Sequence, residues 1–474
     1  MKKNKQLLTV MTMNPLFNPF ISFSLLKKAL LDPNRIKKKS VEQIQQYKNK
    51  AFRKMVSYAY SVPVYHQKYK KAGIHPKDIK TIEDIKKLPF ISKDELKHNF
   101  GKNILPKNYD QSNAYAYCTG GTTGKPLCLY TDFYTVVSSA LIPLRELRLL
   151  NIPTKNLRFV HIGNFNPNRI DLLSKQLFEK YLGFLNITKN QLNLDVSMPL
   201  KDIMKKMDQY NPDIIMTYPA TFQHLSYLKR NGHGKNIKPK LCWTGGAMLD
   251  EYTRTSVQDA FDCPLLNIYP SVEASADIGF ECYDGTWHVH DDFFHLEAID
   301  EQENLVETGK RGHIVLTRLW GRGTPIIRYT GMDDWVTLTE PIADSCGLTT
   351  TTIKGGVEGR KRANIILPNG NVFPPGAFCF ITPVLTKLQT FKVKQYQIIQ
   401  QDLHHIDILL VIDEKLRNTG APVEKIKSEI KKIYEKKVGE EVEITIKEVD
   451  EIPREKNASK PPPIVISHVK SVRL

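Results

Sequence analysis

The feature that most constrains the fold of this chain is an alternation in its central part. "LRFVHIG", "PDIIMTYP", "KLCWTGGA" and "PLLNIYP" are short apolar runs, each ending in glycine, proline or tyrosine. Between most of them lie stretches with apolar residues at helical spacing. Strands alternating with helices from 115 to about 345 predict an α/β fold, in which sites gather at the strand ends.

The texture changes after Arg360. "VKQYQIIQQDLHHIDILLVID" reads as two strands joined by a turn, "APVEKIKSEIKKIYEKKVG" as an amphipathic helix, and "EVEITIKEV" as an alternating strand. Strand, strand, helix and strand make a small α+β module. The expected organisation is therefore an N-terminal tail (1–40), a large α/β domain (41–360) and a small C-terminal α+β domain (361–474), with the boundary near "VEGRKRAN". Within the large domain, residues 40–60 read as an amphipathic helix. Ser92 reads as an N-cap with Glu95 at the capping-box position.

Charge is uneven. The net charge is +18, and residues 1–110 hold 24 Lys and Arg against 8 Asp and Glu, so +16 lies there. Such a segment suits nucleic acid or an anionic membrane surface. The lysines of "VEQIQQYKNKAFRKMVSYAY" are interleaved with apolar residues at helical spacing, which reads more simply as a solvated helix face. No nucleic-acid motif accompanies them, so no nucleic-acid partner is expected. The start, "MKKNKQLLTVMTMNPLFNPF", is basic and mildly apolar but interrupted by Asn14, Pro15, Asn18 and Pro19, and no small-residue cleavage site follows. It reads as a mobile or surface-packed tail that admits peripheral membrane contact, and no apolar run reaches transmembrane length. Seven widely spaced cysteines without a CxxC pair argue against a disulfide framework and for a reducing, cytoplasmic setting.

"YCTGGTTGKPLCLYTD" (117–132) suggests a phosphate cradle. Gly120, Gly121 and Gly124 let backbone N–H groups approach an anion. Thr119, Thr122 and Thr123 add hydroxyls, and Lys125 adds charge. It is not a Walker A loop: GxxxxGK(S/T) would need glycine at 119 and Ser or Thr at 126, where Thr119 and Pro126 stand. From this stretch alone, a plain glycine-rich hairpin is an equal reading.

Further stretches settle the choice. "TGGTTGKP" resembles the phosphate loop of the adenylate-forming superfamily, (S/T)SG(S/T)TGxPK. "VPVYHQKYKKAGIHPKDIKTIEDIKKLPFISKDEL", "CWTGGAMLDE", "IYPSVEAS", "WHVHDDFFHLEAID", "GHIVLTRLWGRGTPIIRYTGMDD" and "GRKRANIILPNGNVFPP" follow in the order found in its phenylacetate–CoA ligase and CapK-like branch. The likeness spans roughly residues 50 to 470. It implies a large adenylation domain with a small mobile C-terminal domain. The implied activity is attack of a small carboxylic acid on the α-phosphate of Mg·ATP, giving an acyl-adenylate and pyrophosphate. Transfer of the acyl group follows, with CoA the expected acceptor.

By this resemblance, Thr119 to Lys125 hold the phosphates and Glu273 helps hold Mg²⁺. Tyr269 stacks on adenine beside Gly245, Gly246 and Ala247. Asp333 binds the ribose, its spacing from Arg328 and Tyr329 favouring it over Asp334, and Arg360 reaches the ribose or phosphate. Lys460, in "NASKPPPIVISHV", stabilises the adenylation transition state. The motifs also depart from the pattern. Pro270 and Val272 replace the glycine and threonine of YGxTE, Met332 replaces the glycine of TGD, Leu127 ends the phosphate loop, Arg362 replaces the hinge aspartate and Ser459 precedes the lysine.

Some relatives carry a zinc-like set, which here would be Cys282, His288, Cys346 and Asp344. The same residues also admit a decayed site, and His288 and His290 with Asp291 and Asp292 read equally as a surface cluster. His161, Phe165, Tyr218 and Phe222 fit an aromatic or medium-sized acid, or ordinary core packing. Two further functions remain open: AMP or acyl transfer to a non-CoA acceptor, as in coenzyme F390 synthetase or capsule-type relatives, and a non-catalytic nucleotide-binding role.

Overall fold

The structure is a computed structural model, which describes residues 15–31, 34–119, 126–185, 189–343, 346–360, 363–452 and 462–469. Its strands are β1 (Tyr115–Cys118), β2 (Cys128–Thr131), β3 (Phe159–Gly163), β4 (Gln191–Asp195), β5 (Ile214–Thr217), β6 (Leu241–Gly245), β7 (Leu265–Ser271), β8 (Ala276–Glu281), β9 (Trp287–Val289), β10 (Phe294–Ile299), β11 (Arg311–Arg318), β12 (Trp335–Ala343), β13 (Thr349–Ile353), β14 (Ile365–Ile366), β15 (Val372–Phe373), β16 (Val393–Gln400), β17 (His405–Ile412), β18 (Glu443–Glu448) and β19 (Val465–Ser467).

Eleven of these form one sheet in the order β10-β11-β12-β13-β9-β8-β7-β6-β5-β3-β4. From β4 to β7 every neighbour is parallel, and from β7 to β10 every neighbour is antiparallel. Parallel neighbours need a crossover connection. Helices Ile170–Leu182, Leu200–Tyr210, Pro219–Arg230 and Glu251–Phe261 each follow one of the strands β3 to β6 and supply it. Covered on both faces, β6 is buried at every residue, as a near-continuous apolar run requires.

The expected helix at 40–60 is Val41–Tyr60, started by a capping box between Ser40 and Gln43 and burying Ile44, Phe52, Met55, Val56 and Ala59 on one face. Ser92 and Glu95 form the expected capping box at the start of Lys93–His98. Helix Pro19–Leu31 in the N-terminal segment packs through Leu25 into a cluster with Phe133, Val136, Leu177 and Tyr181.

In the C-terminal part, β18-β17-β16-β19 form a four-stranded sheet. Helix Val423–Val438 buries Ile426, Ile430, Tyr434 and Val438, four residues apart, in the core of this region. The C-terminal part meets the large sheet's helices through Thr382, Phe391 and Val393. Tyr252 donates its hydroxyl to the Val393 carbonyl and its amide to Thr382 Oγ1 (3.2 Å), and the Arg230 guanidinium lies 4.3 Å from the centre of the Phe391 ring. Among the described residues, no helix is long and apolar enough to cross a membrane.

Candidate active site

Strands β6 and β7 end side by side, and the backbone of β6 packs closely against β7 there. A Cβ on Gly245 would come within 2.7 Å of the Ile268 carbonyl oxygen and 2.8 Å of Pro270 Cδ, so only glycine fits. Gly246 follows with φ +72°, a left-handed conformation that a side chain would strain. Ala247 is exposed beyond them.

Tyr269 lies buried on β7 and donates its hydroxyl to Asp334 Oδ2 at 2.6 Å. Asp334 also faces Arg360, with Nε 3.9 Å from Oδ1 and a backbone bridge between the two residues. Burial raises the Asp334 carboxyl, Arg360 opposing it, and burial together with Asp334 lifts the Tyr269 hydroxyl well above its ordinary value. Asp333 is half-buried with a left-handed backbone (φ 62°). The geometry therefore brings Asp334, the neighbour that spacing disfavours, against Tyr269 and Arg360. A one-residue ambiguity in a loop is beyond what spacing can resolve.

Glu273 sits in the turn after β7. Its carboxylate accepts from Ser271 Oγ (3.1 Å) and from the Tyr329 hydroxyl (3.3 Å). Ser271 Oγ also accepts from the Glu273 and Ala274 amides (3.1 and 3.3 Å) and lies 3.4 Å from Met332 Sδ. The thioether that replaces the TGD glycine thus packs against this turn. Ser271 and Tyr329, which fall inside the quoted stretches without a role assigned to them there, orient the carboxylate. The turn is tied to β1, since the Ser275 hydroxyl meets Tyr117 OH (2.7 Å) and Arg318 Nη1 (2.8 Å).

β1 and β2 are the two arms of the glycine-rich stretch, paired antiparallel with Cys118 opposite Cys128. Thr119 closes its base. Its amide donates to the Leu127 carbonyl (2.8 Å), and its Oγ1 accepts from the Leu127 amide (3.1 Å). Arg169 donates to the Cys118 and Thr119 carbonyls. Gly120 to Lys125 and Lys460 lie outside the described residues, as do Asp344 and Arg362. Beyond Lys460 the chain is held: Gln397 Nε2 donates to the Pro463 carbonyl and the Ile398 amide to that of Ile464, both at 2.8 Å.

Two expectations change. The structure joins Cys118 and Cys128 in a disulfide, their Cα atoms 4.0 Å apart, although cysteine count and spacing argue against disulfides. The hairpin puts the two residues in register, which a count of spacings does not capture. His290, Asp291 and Asp292 are not a surface cluster but buried. Arg145, itself fully buried, makes two 2.7 Å bonds to Asp292, and Arg35 adds a third at 2.6 Å. Burial opposes the charge on Asp292, but Arg145 and Arg35 hold its carboxyl down at about 2. Lys48 and the Thr351 amide bind Asp291, and His290 Nε2 meets Glu146 Oε1 at 2.8 Å. Beside this network, the ligand atoms of Cys282, His288 and Cys346 lie within 4.8 Å of one another. His288 Nδ1 faces Thr350 Oγ1 at 3.0 Å, which directs Nε2 to any ligand role. The structure joins Cys282 and Cys346 as a second sulfur pair, but their Cα atoms are 7.1 Å apart, beyond the usual reach of a disulfide, so the two thiols are also placed to share an ion. Of the residues considered for an acid pocket, Phe222 is buried in the core against Phe261, while His161 and Phe165 meet edge to face near the end of β3.

Asp277, opposite Pro270 in register, is buried, and burial pushes its carboxyl up to about 7. A carboxyl raised on folding binds a proton more tightly in the native state. Its stability contribution is complete below pH 4 and is lost as pH rises through 7. We expect the urea midpoint of the wild type to fall between pH 5 and pH 8, and that of Asp277→Asn to fall less, leaving the variant more stable by up to about 4 kcal/mol at pH 8. Parallel pH profiles would contradict the assignment.

Residues 380–460 match the CapK C-terminal domain family. The chain is 26% identical to the phenylacetate-coenzyme A ligase of Pseudomonas putida over 357 residues, covering 73% of this chain and 77% of that one. It is 25% identical to Protein CapK of Staphylococcus aureus over 270 residues, 56% of each. Among solved structures it is similar in fold to a 2-hydroxyisobutyryl-CoA ligase in the postadenylation state with 2-HIB-AMP, with a TM-score of 0.75 and 17% identity over 92% of this chain and 91% of that one.

Proposed function

We propose that this chain, which belongs to the adenylate-forming superfamily in its phenylacetate–CoA ligase and CapK branch, activates a small carboxylic acid with ATP and passes the acyl group to CoA. The observation that carries the reading is the convergence of Gly245, Tyr269, Glu273, Asp334 and Arg360 beside the base of the glycine-rich hairpin. The backbone of Gly245, Gly246 and Ala247, kept free of large side chains, would lie against adenine beside Tyr269. Asp334 accepts from the ribose hydroxyls, with Asp333 as the neighbouring carboxylate, and Arg360 lies within reach of ribose or phosphate. Thr119 to Lys125 cradle the β- and γ-phosphates. Glu273, held by Ser271 and Tyr329, would help hold Mg²⁺, which when bound spreads the phosphate charge. Lys460 would neutralise charge as the carboxylate attacks the α-phosphate. In this reading the large domain spans 41–360 and the small domain 361–474, with Lys460 carried by the latter.

The test is pyrophosphate release from Mg·ATP against a panel of aromatic and aliphatic acids, with and without CoA. Release dependent on one acid, and a thioester with CoA, supports the reading. Release without a thioester moves the acyl group to a non-CoA acceptor. ATP binding with no release under any acid favours AMP transfer to a phenolic acceptor of the F390 kind, or a non-catalytic role.

Cys282, His288 and Cys346 fit a structural zinc by donor type and proximity, and Asp344, outside the described residues, would be the fourth ligand by donor type alone. The purified chain is expected to carry about one zinc, and Cys282→Ser to lose it together with thermal stability. Equal metal content in both proteins would remove the site.

A further inference from the structure

Helix Pro19–Leu31 reads PFISFSLLKKALL and is apolar around most of its circumference. A helix of that kind is normally enclosed, but the described residues cover this one on one side only. Leu25 is buried and Ile21 half-buried against the cluster beneath. Lys28 reaches over that face, 5.4 Å from the ring centres of Phe293 and Trp320. At 100° per residue, Phe20, Phe23, Leu26, Leu30 and Leu31 fall on the opposite arc. They and Phe17, just before the helix, are between 51% and 86% exposed. At about 200 Å² for each fully exposed large side chain, the row presents roughly 700 Å² of apolar surface, more than the largest patch of an ordinary monomer.

The charge around the row selects its occupant. Lys27 lies within the same arc, and Lys37, Lys38 and Lys39 follow, all exposed. Residues 1–40 contain nine Lys and Arg, including Lys2, Lys3 and Lys5, against one acidic residue, Asp32. A second copy of the chain would set this face against itself in a two-fold contact, lysines against lysines. An anionic lipid surface accepts both features. Its acyl boundary takes the phenylalanines and leucines, and its headgroups take the lysines, whose stems can lie along the apolar face.

We propose that helix Pro19–Leu31, with the lysines that follow it, is an interfacial anchor that holds the enzyme on an anionic membrane surface. The helix lies in the plane of the lipid and does not cross it. The proposal is independent of the reaction assigned above.

The test is flotation of the full chain with phosphatidylcholine vesicles, alone or with about 30% phosphatidylserine. The wild type is expected to float with the anionic vesicles and not with the neutral ones. Phe20→Ser, Phe23→Ser and Leu30→Ser together, all at exposed positions, should weaken binding by at least about 100-fold at an unchanged thermal midpoint. Lys37→Glu, Lys38→Glu and Lys39→Glu together should weaken it in a chain with the apolar row intact. Three results would overturn the proposal: no flotation with anionic vesicles; flotation untouched by the serine substitutions, which would assign binding to charge alone; or a wild-type dimer, dissociated by those substitutions, that ignores lipid.

Discussion

Lys460→Ala is expected to slow acid-dependent pyrophosphate release by about 100- to 1,000-fold while ATP affinity stays within about twofold. The split follows from when the charge is needed. Bound ATP already has cationic partners in Lys125 and Mg²⁺ under the proposed function. The carboxylate must still approach a phosphorus surrounded by negative oxygens, and that charge is concentrated only as the new bond forms. An ammonium placed there stabilises the transition state more than the ground state, so its loss appears in kcat rather than in KM. β19 runs parallel to β16, with Ile398 opposite Val465, so the chain is fixed five residues after Lys460. Steady-state pyrophosphate release and nucleotide binding, measured on the same preparation, decide the matter. Adenylation at the wild-type rate in the variant would remove Lys460 from the chemistry.

Asp292→Ala should cost about 3–5 kcal/mol of stability. The carboxylate is fully enclosed and satisfies two guanidiniums, Arg145 and Arg35. Removing it leaves Arg145, with essentially no exposed side chain, charged and without its principal acceptor in a medium that solvates charge poorly. The partner substitution gives the control. Arg145→Met with Asp292→Leu removes both charges of the bidentate pair and should cost less than Asp292→Ala alone, because the only guanidinium left without this carboxylate is then Arg35, which keeps more contact with solvent than Arg145. Urea midpoints for the three chains measure this, and a larger loss in the double variant would show that packing rather than charge holds the site. The effect is large against the 5–15 kcal/mol typical of a folded domain.

The parallel half of the sheet was readable because buried parallel strands are short apolar runs punctuated by glycine and proline. β3, β5, β6 and β7 fall on the four quoted runs. The C-terminal strand–strand–helix–strand order was readable for the same reason of period. Glu273, Gly245 and Tyr269 are singled out by motif likeness, and the structure sets them around the ends of β6 and β7, their roles resting on the proposed function. Three things were not readable. The choice between Asp333 and Asp334 depends on a left-handed residue inside a loop, and the structure sets Asp334 against Tyr269 and Arg360 while the ribose role stays a proposal. His288, His290, Asp291 and Asp292 read equally as a surface cluster because polar residues usually are exposed, and nothing in the sequence points to Arg145 as their buried partner. Their burial depends on pairing between residues as far apart as 35 and 292, and sequence distance hides such pairs. The Cys118–Cys128 pair was missed because hairpin register sets it.

The reversal of strand direction at β7 also governs where the chain can accept added length. β6 and β7 finish at the rim occupied by Glu273, and the antiparallel strands that follow send their own returns there, including the 319–334 segment between β11 and β12. The opposite rim, at the exposed 300–310 turn between β10 and β11, is free of that duty. Loop divergence among relatives, and any epitope or reporter inserted by design, should therefore be tolerated on that rim and punished on the other, so that a comparison of loop lengths alone would reveal which face does the chemistry.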